Sequence, residues 1–291
     1  MKQNISNNLR QYVFILPLVL PALIGIVVFQ LWPIYESVRV SFFDFNMLSG
    51  SLKWIGGQNY LRTLKDPIFW LTVKNTIWFF FLKVPLQMAF AFGLALLVQT
   101  AARWIGILRT IILLPAITSM VVVSVIWGLM YHPNNGLINS FLQFFSLPPQ
   151  PFLISQQQSM PSIAAMMIWK DVGFNMIFFL AGLMGIPVSI YEAAKIDGAD
   201  YWQITRYITI PMIKRTTIFV LITNLVTAFK VFTPIFLMTR GGPASSTRVI
   251  VLYLYENAFI YNKMGYAAAI SILLGVTLMI VSYLSTREKP Y

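Results

Sequence analysis

The chain has 291 residues, a formal net charge of +12, no cysteine, 10% charged residues and 58% hydrophobic ones, with a mean hydropathy of +0.73. Soluble domains carry about 25% charged residues, so this composition excludes an ordinary soluble enzyme, and a disordered chain would need low hydrophobicity. The positive charge is scattered between apolar stretches rather than gathered on one face, so the expected partner is a lipid bilayer and not nucleic acid. Without Cys there is no disulfide framework and no thiolate metal site. The lone His132, in Tyr-His-Pro between two apolar segments, is expected in an interfacial loop.

A crossing helix needs about 20 mostly apolar residues. In chain order the windows run approximately Tyr12–Trp32, Ile77–Val98, Thr110–Met130, Ser162–Leu183, Thr217–Met238 and Tyr266–Leu284. The sequence therefore predicts an all-α, polytopic transmembrane bundle of about six spans, with residues 1–291 as one transmembrane domain. The first window is too long for a cleaved signal peptide, carries Pro17 and Pro21, and lacks a small-residue cleavage site. Pro17, Pro21, Pro85, Pro115 and Pro234 are read as fixed bends, since neighbouring groups in a bundle re-satisfy the backbone they free.

An even number of spans puts both termini on one side. Placing them inside gives the cytoplasmic segments Lys2, Arg10, Arg103, Arg109, Lys195, Arg206, Lys214, Arg215, Arg287 and Lys289. The longer outer segments hold Arg39, Lys53, Arg62, Lys65, Lys74, Arg240, Arg248 and Lys263. The density favours cytoplasmic termini.

Polar residues within a span are costly and face a cavity or another helix. Lys83 and Gln87 lie one turn apart on the second span. Asp171 and Asn175 do so on the fourth, beside Trp169 and Lys170; the fifth brings Asn224, Phe229, Lys230 and Thr233. These are the candidates for a substrate path. A mix of Asn, Gln, Trp and Phe suits the hydroxyls and apolar faces of a sugar, and equally suits helix packing. Lys83, Lys170 and Lys230 are also compatible with an anionic cargo such as a phosphorylated polyol.

Between the fourth and fifth spans, about residues 187–215, the chain changes character. Ser189 and Glu192 have capping-box spacing, Gly198 suits a left-handed helix end, and Asp200 with Gln203 repeats the box. Pro211 limits the second helix. Ala193 and Ala194 leave one side of the first helix shallow, and Tyr201, Ile204 and Ile208 give the second an apolar stripe. The result is an angular two-helix element suited to docking.

Glu192-Ala193-Ala194, Asp197-Gly198-Ala199 and Ile210-Pro211 resemble the EAA loop of binding-protein-dependent ABC importer permeases. Trp54-Ile55-Gly56-Gly57-Gln58-Asn59-Tyr60, Asp66-Pro67-Ile68-Phe69-Trp70, Asn75-Thr76 and Thr239-Arg240-Gly241-Gly242-Pro243 are similar to the signatures of the carbohydrate (maltose-type and glycerol-3-phosphate-type) subfamily, over roughly residues 12 to 285. Thr205 stands where that family commonly has Phe, and Arg215 where it commonly has Pro.

The resemblance implies a multi-pass permease subunit of a bacterial plasma (inner) membrane importer for a sugar or polyol. Its implied partners are a second homologous permease, two ATP-binding subunits that grip the loop, and an extracytoplasmic solute-binding protein. The chain has no G-x-x-x-x-G-K-[ST], so ATP and Mg2+ are expected on partner subunits and no cofactor or catalysis on this chain. The alternative is a self-sufficient secondary transporter or channel for a small polar solute, which would use intramembrane carboxylates or inverted repeats. Asp171 is the one acidic residue within the six windows.

Overall fold

The structure, a computed structural model, describes Pro17, residues 19–99 and residues 104–286. Among them, five helices are long and apolar enough to cross a membrane, and a bent pair makes a sixth crossing if it counts as one span. Contacts divide the chain into two compact units, Met1–Asp66 with Leu254–Thr277, and Pro67–Tyr253 with Leu278–Tyr291.

In the first unit, α1 (Val19–Ser41) runs well past Trp32, where the sequence reading ends the span. Pro33 does not stop it, because the preceding turn Val27–Leu31 is a π-turn and the Trp32 N–H reaches back to the Val27 carbonyl. The wider turn makes room for a residue that lacks a donor. Tyr12–Leu16 of the expected span lie outside the described residues. A short hairpin follows, β1 (Phe43–Phe45) antiparallel to β2 (Leu52–Trp54), then α2 (Gln58–Lys65). Asn59 is buried on α2 and its amide donates to the carbonyls of Ser41 and Phe43, both at 2.9 Å. Tyr266 donates to the Asp66 carboxylate at 2.6 Å. Asn59 and Asp66, from the stretches that resemble a subfamily signature, thus tie this unit together.

The second unit is built on α3 (Pro67–Val98) and α7 (Ser159–Met184). At about 1.5 Å per residue, α3 is about 48 Å long, more than a hydrocarbon core requires. Ala91 and Ala95 are fully buried one turn apart and let α3 approach Met176, Phe179 and Leu183 of α7 closely. Towards the other end of α3, Phe79 and Val84 pack with Met160, Ile163 and Met167. Asn75 donates to the carbonyls of Ser245 and Arg248 at 2.8 and 3.0 Å, fixing the turn that follows Gly242-Pro243.

The third window departs from expectation. Instead of one helix over Thr110–Met130, α4 (Ile105–Ile117) and α5 (Met120–Met130) meet at 93°. Pro115 withdraws a donor in the last turn of α4, and Thr118 and Ser119 take extended backbone angles. The carbonyl freed at Ala116 is taken by the Lys170 ammonium of α7 at 3.1 Å, the internal satisfaction a bilayer demands. Nearby, Gly173 packs so closely on α4 that a Cβ there would stand 2.2 Å from the Ile112 carbonyl oxygen.

After α5, the Tyr131 turn leads into α6 (Leu137–Phe144), and the His132 imidazole accepts the backbone N–H of Asn135 at 3.2 Å. Beyond α7 come α8 (Val188–Ile196), α9 (Tyr201–Ile204), a π-turn over Thr205–Thr209, and α10 (Ile210–Met212). The fifth span is α11 (Lys214–Phe229) and α12 (Thr233–Met238), interrupted at Lys230-Val231-Phe232. Two apolar elements follow, a helix over Ile250–Ile260 and α13 (Met264–Thr286).

Candidate functional site: a polar cavity and an exposed two-helix loop

The i, i+4 spacing of Lys83 with Gln87, and of Asp171 with Asn175, puts each pair on one face of its helix, and the two faces meet between α3 and α7. Lys83 is completely buried and donates to an Asp171 carboxylate oxygen at 2.9 Å; Lys170 stands 3.8 Å from the other oxygen. Removing one partner of a buried pair leaves a bare charge in a low dielectric, which is strongly destabilising. One turn on, Asn175 and Asn224 of α11 exchange amide hydrogen bonds, at 2.8 Å from Asn224 to Asn175 and 3.4 Å in return. Asn224 also donates to the Val220 carbonyl at 2.8 Å, and Asn175 to the Asp171 carbonyl at 3.1 Å. Gln87 is fully buried, and neither its oxygen nor its nitrogen has a hydrogen-bond partner among the described residues.

Asp171, Asn175 and Asn224 line a cavity of about 320 Å3, together with Phe174, Phe178, Thr223 and Thr227. The last four escaped the sequence reading. The signal was available in the spacing: Thr223 and Thr227 are i, i+4 around Asn224, and Phe174 and Phe178 flank Asn175 in the same way. Of the other candidates, Gln87 is buried outside the cavity lining, and Phe229, Lys230 and Thr233 sit at the α11/α12 interruption. There the Phe229 ring packs 6.1 Å from Phe80 and Lys230 is exposed. The cavity offers one carboxylate, two amides, hydroxyls and two aromatic rings. That set hydrogen-bonds and stacks on a polar solute; it contains no nucleophile and base in contact.

The second feature is the loop between α7 and α11. Its first helix does not use the Ser189–Glu192 box: α8 starts one residue before Ser189, and its N-cap Pro187 makes no side-chain cap. Its end is as the sequence requires. Gly198 has φ +80°, the Gly198 N–H donates to the Lys195 carbonyl at 3.1 Å, and the Ala199 N–H to the Ala194 carbonyl at 3.0 Å, a Schellman closure. Asp200 and Gln203 then form the expected capping box in both directions, at 2.7 and 2.8 Å. Pro211 does not end the second helix. The π-turn Thr205–Thr209 widens the chain ahead of it, as at Pro33, and helical geometry continues to Met212.

Which faces are exposed also differs from expectation. Ala193 is exposed but Ala194 is buried, so the shallow surface is Ala193 alone. Ile204 and Ile208 turn inward and are half-buried; of the expected stripe only Tyr201 stays exposed. The outward apolar surface is instead Ile196, Trp202 and Tyr207, 86%, 77% and 71% exposed, set among the exposed Glu192, Asp197 and Arg206. Gly198 and Pro211 are exposed and Ala199 is half-buried. Beneath the loop lies a cavity of about 510 Å3 lined by Tyr191, Lys195, Ile204, Thr205 and Thr209 with the ends of α3 and α7. Thr205, small where Phe is common, faces it.

Residues 106–287 match the family described as "Binding-protein-dependent transport system inner membrane component". The chain is 33% identical to a probable ABC transporter permease protein of Pyrococcus horikoshii, covering 92% of both chains. It is 34% identical to the lactose transport system permease protein LacF of Rhizobium radiobacter, covering 93% of both. Its fold is similar to a chain of the crystal structure of a bacterial alginate ABC transporter in complex with alginate pentasaccharide-bound periplasmic protein. The TM-score is 0.84, with 24% identity and coverage of 96% of this chain and 94% of that one.

Proposed function

This chain belongs to the family of inner membrane components of binding-protein-dependent transport systems, and we propose that it is one of two homologous permease subunits forming the path for a sugar or related polyol. It is an ABC importer permease that works with a solute-binding protein, and ATP hydrolysis belongs to a separate subunit. Family membership sets aside a self-sufficient transporter or channel.

The rigid, exposed two-helix loop carries this reading. A motor subunit can drive a passive pathway only through an element that transmits force without bending. The Schellman closure at Gly198 and the capping box at Asp200 fix the angle between α8 and α9. Two ATP-binding subunits, holding ATP and Mg2+, would grip one such loop on each permease through Glu192, Ala193, Asp197, Gly198 and the Ile196, Trp202, Tyr207 surface. Ala194 and Ala199 shape the loop from within, and Pro211 stands exposed near its end. Both termini and the loop then face the cytoplasm, as the Lys and Arg distribution favours, and residues 1–291 act as one transmembrane domain.

Cargo would pass the cavity at Asp171, Asn175 and Asn224, with Lys83 and Gln87 behind it and Phe229, Lys230 and Thr233 further along α11. The lactose-system relative supports a sugar, and the Phe174 and Phe178 rings beside two amides suit one. The test is purification with co-expressed partners, reconstitution into proteoliposomes with the binding protein, and uptake of labelled sugars. ATP-dependent uptake is expected; uptake by this chain alone down an ion gradient would overturn the reading.

A further inference from the structure

The segment joining α5 to α7 contains a helix that is inside out for a water-facing loop. On α6, Asn139 is completely buried. Its amide donates to the carbonyls of Pro133 and Gln150 at 2.8 and 2.9 Å, and its oxygen accepts the Gln150 N–H at 2.8 Å. These bonds fix the rotation of the helix about its axis. Opposite Asn139, at helical spacing, Leu137, Phe141, Phe144 and Phe145 are 69%, 63%, 82% and 57% exposed. A helix surrounded by water buries its apolar stripe; α6 packs Ile138 on the core and buries Asn139, yet leaves these four large apolar side chains outside.

Two further observations say what covers that stripe. No Asp, Glu, Lys or Arg occurs from Tyr131 to Met160. By contrast, the loop that carries Ile196, Trp202 and Tyr207 intersperses them with Glu192, Lys195, Asp197, Asp200 and Arg206. The helix is also held at the end of a span. Gly136 lies so close to the last turn of α5 that a Cβ would stand 2.4 Å from the Met130 carbonyl oxygen. Along α5, Val121, Val122, Val125, Ile126 and Leu129 are exposed, so the stripe on α6 continues the apolar surface of a membrane-embedded helix.

We propose that α6 lies in the membrane interface as an anchor, with Leu137, Phe141, Phe144 and Phe145 in contact with lipid. Leu and Phe make up the apolar face of helices that rest in the boundary between headgroups and acyl chains. The anchor fixes the Met130 end of the bent α4/α5 pair relative to the bilayer. The inference rests on the membrane placement of the family and not on the loop that engages the ATPase.

The chain has no cysteine, so one introduced residue gives one label on it. Phe144→Cys, Phe141→Cys and Gln143→Cys, each carrying a nitroxide, are placed in the full importer in nanodiscs of phosphatidylethanolamine and phosphatidylglycerol. Collision rates with oxygen and with a water-soluble nickel chelate are then measured. At positions 141 and 144 oxygen should exceed nickel several-fold, and at 143 the ratio should fall or invert. Phe145→Cys, on the same face, replaces any variant that fails to assemble. Ready collision with nickel at 144 would show a water-facing helix. An immobilised label shielded from both reagents would show a protein partner on the stripe. Either result overturns the proposal.

Discussion

Lys83 on α3 and Asp171 on α7 form an ion pair 2.9 Å long in the middle of the bundle, with the lysine side chain shut away from solvent completely. The pair joins the two helices on which the second unit is built, and its carboxylate is also a wall of the polar cavity. Breaking it by removing one partner costs about 3–5 kcal/mol. Asp171→Asn should be the more damaging change, because it strands the buried Lys83 and leaves Lys170 with the Ala116 carbonyl but no counter-charge, whereas Lys83→Met leaves Asp171 beside Lys170. Thermal unfolding of the purified importer should order the variants that way, and the double variant Lys83→Met/Asp171→Leu should recover part of the loss.

Gln87 is a buried amide with no partner among the described residues. An unmet buried amide costs about 1–3 kcal/mol. Gln87→Met, close in volume, should raise the unfolding midpoint of the importer. If Gln87 meets passing cargo, the same variant should lower ATP-dependent uptake severalfold. A higher midpoint with unchanged uptake would remove Gln87 from the path.

Asn175 and Asn224 bond to each other across α7 and α11 and line the cavity together. Each hydrogen bond lost to cargo is worth about 1 kcal/mol, so Asn175→Leu or Asn224→Leu should each reduce uptake about fivefold. Subunit assembly should survive. Because the two amides satisfy each other, the double variant should cost less than the sum of the singles. Unchanged kinetics in both singles would place the path elsewhere.

Gly198 has φ +80° with nothing near the position of a Cβ, so its requirement is conformational and not steric. A β-branched side chain there costs about 1–2 kcal/mol. Gly198→Val should bend or loosen the loop and separate ATP hydrolysis from uptake, while Gly198→Asn, tolerated in the left-handed region, should retain most coupling. Measuring ATPase activity and uptake on the same proteoliposomes checks this.

Apolar windows and loop punctuation were readable in the sequence because they depend on composition and local geometry. Five long helices stand at the expected windows, and Gly198 and the Asp200–Gln203 box sit as their residue types require. The misreadings share physical causes. The sequence ends the first span at Trp32 and the second loop helix at Pro211, but a π-turn ahead of Pro33 and another ahead of Pro211 let each helix continue, and nothing local announces a π-turn. The break between α4 and α5 lies beyond Pro115, and Lys170, distant in sequence, satisfies the carbonyl it frees. Ser189 fails as a cap because Pro187 already sets the start of α8. Which side of an amphipathic element faces out depends on tertiary packing. Hence Ile204 and Ile208 turn inward while Trp202 and Tyr207 face out, and Thr223 and Thr227 reach the cavity without having been singled out.

The most direct test concerns what the two-helix loop touches. A photo-crosslinking residue is introduced at Trp202, 77% exposed, in the importer assembled with its partners, and activated with and without ATP. The account predicts a covalent adduct with a nucleotide-hydrolysing subunit, lost on Gly198→Val. Adducts formed only with the solute-binding protein, or none with any ATP-binding chain in an assembly that still transports, would contradict it.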